Sequence, residues 1–114
     1  MGDEEVRASD DEGLERIREL FGEPIDDSGK TDCRIGGPWG VAVIRLVFDE
    51  WTRTGYRIGG RGGNRILDED LKPVGMIGGR HGKDVLTLTG ERTGYFLGGI
   101  SGQGIYYDEG RREG

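Results

Sequence analysis

The sequence predicts a mainly β protein: a small antiparallel β-barrel with one N-terminal capping helix. Three observations carry the expectation. Glycine supplies 24 of 114 residues, about three times the usual share. One double-glycine element recurs four times after residue 34. Helical periodicity is confined to a single stretch near the N-terminus. Collagen is excluded, because the glycines have no three-residue period and there are only 3 prolines.

The helix comes first in the chain. Ser9 is placed as its N-cap, Glu12 completes a capping box, and Asp10 and Asp11 put negative charge in the first turn. Leu14, Ile17, Leu20 and Phe21 share one face. Gly22 then suits the position past the helix end, and Pro24 blocks continuation. The spacing predicts a helix over about 10–21, too short to stand alone in water. Its apolar stripe therefore needs a partner surface. Residues 22–33 read as a linker, so 1–33 forms an acidic N-terminal segment.

From residue 34 the pattern changes. Ile35-Gly36-Gly37-Pro38-Trp39-Gly40 is followed by Ile58-Gly59-Gly60-Arg61-Gly62-Gly63, Ile77-Gly78-Gly79-Arg80-His81-Gly82 and Leu97-Gly98-Gly99-Ile100-Ser101-Gly102. The copies are 23, 19 and 20 residues apart, and each has a β-branched residue three places after its last glycine (Val43, Ile66, Val85, Ile105). Thr54-Gly55-Tyr56 and Thr93-Gly94-Tyr95 extend the match upstream in two copies. Glycines at such positions let a small sheet turn tightly and coil on itself. Runs at 41–48, 85–89 and 104–107 read as strands, with weaker ones at 65–67 and 74–77. A barrel over 34–108 and a frayed tail at 109–114 complete the organisation. By parity, Ile44, Leu46, Phe48 and Glu50 share one face of the first long strand, and that face is expected to point into the barrel.

Composition narrows the function. No apolar run reaches the ~18 residues of a membrane span. The start is acidic, with no apolar signal region, so a cytoplasmic protein that does not engage membranes is expected. Residues 1–32 carry 12 acidic and 4 basic side chains, while the remainder is net +2 and the whole chain −6. An acidic chain of this kind is a poor nucleic-acid binder. The single Cys33 excludes an internal disulfide. Gly29-Lys30-Thr31 is not a phosphate loop, since Pro24 stands where the motif needs glycine. His81 is the lone histidine. No metal or cofactor is implied, and no catalytic residue can be named. The candidate lumen and lid residues are Leu14, Ile17, Phe21, Trp39, Ile44, Leu46, Phe48, Glu50, Tyr56, Met76, Leu86, Tyr95 and Tyr106. Aromatic rings among them suit a mostly apolar organic ligand.

The stretch from Thr89 to Gly104 (TGERTGYFLGGISGQG), with Phe48-Asp49-Glu50 and Arg57-Ile58-Gly59-Gly60-Arg61-Gly62-Gly63-Asn64-Arg65-Ile66, resembles the strands of calycin-like, allene oxide cyclase-like and dirigent-like barrels. It is most similar to the bacterial spirotetronate and spirotetramate cyclases. The resemblance covers roughly 45–107 and falls short by about one strand near 67–76. It implies an eight-stranded barrel that catalyses an intramolecular [4+2] (Diels–Alder) cycloaddition of a linear polyketide in natural-product biosynthesis, without a cofactor. The helix would be a mobile lid, the partner an apolar polyketide-like small molecule, and a homodimer is compatible with it. The reading leans towards an enzyme. Val43 to Phe48 with the later GGRGGN and GGRHGKDVL is also similar to jacalin-like β-prism lectins, which implies carbohydrate binding instead. There Ile44 and Leu86 stand where the sugar loop has aspartate. A barrel that only binds a small molecule is the remaining alternative.

Overall fold

In the computed structural model, residues 10–37, 40–79, 82–99 and 102–113 are described. Helix α1 (Asp10–Phe21) is followed by β1 (Lys30–Gly36), β2 (Ala42–Val47), β3 (Glu50–Gly59), β4 (Arg65–Leu67), β5 (Pro73–Gly78), β6 (Asp84–Leu86), β7 (Arg92–Gly98) and β8 (Gly104–Tyr107), then a short helix α2 (Glu109–Glu113). The strands form one closed antiparallel barrel in sequence order, with β8 returning to β1. A single closed sheet departs from the prism that the lectin resemblance implies. Two boundaries differ from expectation. The barrel begins at Lys30 rather than residue 34, because the presumed linker supplies most of β1. Residues 109–113 are helical rather than frayed. The short stretch at 67–76 still yields eight strands, since β4 needs only three residues.

The sequence repeat is a structural repeat. Each copy is a hairpin whose turn is closed by the same bond: Gly40 N to Gly37 O, Gly63 N to Gly60 O, Gly82 N to Gly79 O and Gly102 N to Gly99 O, at 3.0–3.2 Å. Gly37, Gly60, Gly79 and Gly99 all have φ between 72° and 87°, a region that disfavours side chains. Neighbouring copies are stitched by another repeated bond. Ile35, Ile58, Ile77 and Leu97 donate N–H to the carbonyls of Gln103, Val41, Asn64 and Lys83, the first of these closing the ring.

Inward side chains therefore stack in layers. Val43, Ile66, Val85 and Ile105 are all fully buried. Ile35, Ile58, Ile77 and Leu97 pack in the same core. The third layer, Cys33, Tyr56, Gly75 and Tyr95, lies at the end away from the glycine turns. Its strands are pinned by threonines, buried at 31 and 93 and half-buried at 54: Thr31, Thr54 and Thr93 donate Oγ–H to the carbonyls of Ile105, Val43 and Val85 at 2.7–2.8 Å. The same oxygens accept N–H from Cys33, Tyr56 and Tyr95.

Candidate functional site

The third repeat breaks this pattern, and α1 docks where it breaks. Pro73 replaces the threonine and Gly75 replaces the large side chain. A Cβ on Gly75 would lie 2.6 Å from Ile17 Cδ1. Gly13 makes the matching allowance on the helix, since its Cβ would lie 2.5 Å from the Val74 carbonyl oxygen. Ile17 and Phe21 are fully buried and Leu20 nearly so, all three within the barrel core. Burying such side chains contributes about 1.5–3 kcal/mol each, which holds a helix too short to persist alone. Gly22 ends it as the sequence predicts, with φ 72° and its N–H bonded to Arg18 O at 2.8 Å. The expected N-cap, Ser9, lies outside the described residues.

The helix end is received by a polar ring. Arg45 donates to the carbonyls of Leu20 and Glu19, a cation at the negative end of the helix dipole. Tyr95 Oη donates to Gly22 O at 2.5 Å, and Cys33 Sγ lies 3.3 Å from Leu20 O. Burial pushes the Cys33 thiol up to about 11 and the Tyr95 phenol up to about 12. On the other flank, Arg16 donates to Asp68 at 2.9 Å and reaches Tyr56 Oη at 3.5 Å. Asp68 also accepts N–H from Asp70 and Lys72 at 2.9 Å each. Burial works against its ionisation, but those backbone donors and Arg16 outweigh it and hold the carboxyl below its usual range. A groove of about 440 Å³, bordered by Arg18, Gly22, Glu23, Pro24, Tyr95 and Tyr107, runs along the helix end to this ring.

Of the candidates read from sequence, Ile17, Phe21, Tyr56 and Tyr95 meet in this site. Leu14 is half-buried and outside the core cluster, and Trp39 lies outside the described residues, as does His81. The expected inward face of the first long strand is corrected. Val43 is fully buried, whereas Leu46 is exposed and Phe48 is 97% exposed, at a turn with Glu50 exposed beside it. The physical reason is Arg45. It shares the inner face with Val43, which is tolerable because it sits at the rim and caps the helix.

Ile44, Leu86 and Tyr106 are also corrected. Each follows an inward residue and covers a double glycine on the outer surface. A Cβ on Gly36 would meet Ile44 at 3.0 Å, one on Gly78 Leu86 at 3.3 Å, and one on Gly99 the Tyr106 hydroxyl at 3.0 Å. Leu67 does the same for Gly60 in the second repeat. Met76 pairs with Arg65 and Leu86 in register and belongs to that outer face. The reading from sequence missed Arg45, Cys33 and Gly75. The signal for Gly75 was present in the repeat, as the one small residue at a position otherwise held by Cys or Tyr.

No helix among the described residues is long and apolar enough to cross a membrane. Comparison with protein families, curated proteins and solved structures finds no match to this chain.

Proposed function

We propose that the chain binds an apolar small molecule in the helix-covered end of its barrel and acts there as a cofactor-free cyclase of polyketide biosynthesis. The observation that carries this reading is the replaced side chain. The third layer lacks one strand-borne residue, at Gly75, and its space is taken by Ile17 from a separate, short element. Withdrawal of α1 would empty that space without breaking a strand–strand bond. An eight-stranded barrel has interior room for side chains or for one small ligand.

The pocket so opened would have an apolar floor of Ile35, Ile58, Ile77 and Leu97 and a polar rim. Tyr95 Oη and the Arg45 guanidinium now bond helix carbonyls. Freed, they would offer donors to a substrate carbonyl, while the apolar floor folds the hydrocarbon chain. In an intramolecular [4+2] reaction, two π bonds of a diene and one of an alkene become two σ bonds and one π bond. No oxidant, proton or leaving group is required. Holding the two ends in reactive contact lowers the barrier, and re-docking of α1 over the substrate excludes water.

The test uses the intact protein and a linear polyketide bearing a conjugated diene and an activated alkene. Loss of diene absorbance above the uncatalysed rate, reduced in Tyr95→Phe, supports the reading. Binding without acceleration reduces it to the small-molecule-binding barrel. No binding and no acceleration overturns both.

A further inference from the structure

The four repeats are not equally long. The first-to-second spacing of 23 residues exceeds the others, 19 and 20, and the excess lies in the β2–β3 hairpin. There β2 pairs with β3 through Val47 and Glu50, but with β1 only as far as Arg45. On its other side, β3 pairs with β4 only from Arg57 onward. The hairpin therefore projects beyond the barrel as a two-stranded ribbon, and β3 has no strand on its outer edge over 50–56 among the described residues. Such an edge is a template for strand pairing.

The ribbon is also where apolar surface gathers. Leu46 and Val47 are each 38% exposed and Trp51 46%, with Phe48 at the tip. We propose that two copies of this chain associate through the free edge of β3, across a two-fold axis at Thr52. Pairing parity allows this register, and side-chain chemistry favours it over the one centred on Arg53. The turn is two residues long, Phe48 and Asp49, both with positive φ. Val47–Glu50 and Arg45–Thr52 are then the hydrogen-bonded pairs of the hairpin. The N–H and C=O of Trp51 and Arg53 accordingly point to the free edge.

A two-fold axis normal to the sheet sets residues of equal parity opposite one another. Centring it on Arg53 would stack like charges. Centring it on Thr52 sets Trp51 of each copy opposite Arg53 of the other, and both exchange backbone bonds. The indole already accepts a cation, since the Arg34 guanidinium lies 5.3 Å from its centroid. Thr52 meets its own copy in a non-hydrogen-bonded pair, where Cα atoms approach to about 4.5 Å.

Sedimentation of the full chain over a concentration series, with thiol cross-linking, tests this. The wild type should be a concentration-dependent dimer. Trp51→Pro removes an N–H that only the second copy would use, and should raise the dissociation constant about tenfold or more. Thr52→Cys should give a disulfide-linked dimer on mild oxidation, since that separation suits a disulfide. The wild type should not cross-link, because its one thiol, Cys33, is buried. A monomer at every concentration overturns the proposal, including one that instead binds lipid vesicles or an added apolar peptide. A dimer in which Thr52→Cys fails to cross-link overturns it as well.

Discussion

The third and fourth repeats have the same kind of hairpin, the same turn bond and aliphatic side chains at the same inward positions, yet they treat the barrel end differently. The fourth closes its share with its own side chains, Thr93 and Tyr95. The third supplies Pro73 and Gly75 and leaves the closing to α1. Phe21 then packs on Tyr95 with ring centroids 5.3 Å apart. The lesson is that a repeat barrel need not be closed by its repeats. One glycine in one copy converts a strand-filled core into a helix-filled one.

The largest effect expected from this comparison separates two phenylalanines. Phe21→Ala should lower unfolding stability by about 3–5 kcal/mol in denaturant melts. Phe48→Ala, on the projecting hairpin, should stay within about 0.5 kcal/mol. A large loss at Phe48 would place that ring in the core after all.

Gly75→Ala should cost about 1–3 kcal/mol through overpacking. The new methyl meets not only Ile17 but also the Leu86 carbonyl oxygen, at 2.8 Å. Unchanged stability would mean that the helix does not depend on that space.

The threonine position offers a sharper contrast between the two repeats. Thr93→Val should cost about 1–3 kcal/mol, because a buried bond to Val85 O is lost. Pro73→Thr restores the hydroxyl that the third repeat lacks, and its effect should stay within about 1.5 kcal/mol of wild type. A severe loss there would show that the third repeat cannot adopt the geometry of the others.

Acid should loosen the helix flank. Asp68 is held below its usual pKa in the folded state, so the unfolded chain takes up that proton at higher pH. Its contribution is complete above the unfolded value of about 3.9 and is lost as pH falls through the lower folded value. Melts between neutral pH and pH about 3 should show a loss that Asp68→Asn flattens. An equal slope in the variant would remove Asp68 from the account.

Much of the fold was legible because glycine turns and helix ends are local. The four G-G-x-x-G elements, the end at Gly22 and the stripe of Ile17, Leu20 and Phe21 all rest on spacing a few residues wide. The site was less legible because facing is set by partners far along the chain. Parity alone could not say which side of β2 is inner. That answer depends on Arg45 finding the carbonyl of Leu20, 25 residues earlier. In the same way, Leu86 and Tyr106 look like lumen residues until the double glycines they cover are placed across the hairpin.

The central claim, that α1 is a separable filling of an otherwise complete barrel, is tested most directly by thiol labelling of Cys33 in the intact protein. Its Sγ lies under the helix end, and burial makes it a poor nucleophile while the helix is docked. The account predicts labelling through local opening, at a free energy below global unfolding and with little dependence on denaturant. Arg45→Ala should accelerate it while strand amides keep their protection. Labelling that tracks global unfolding, with the same free energy and the same denaturant slope, would contradict the claim.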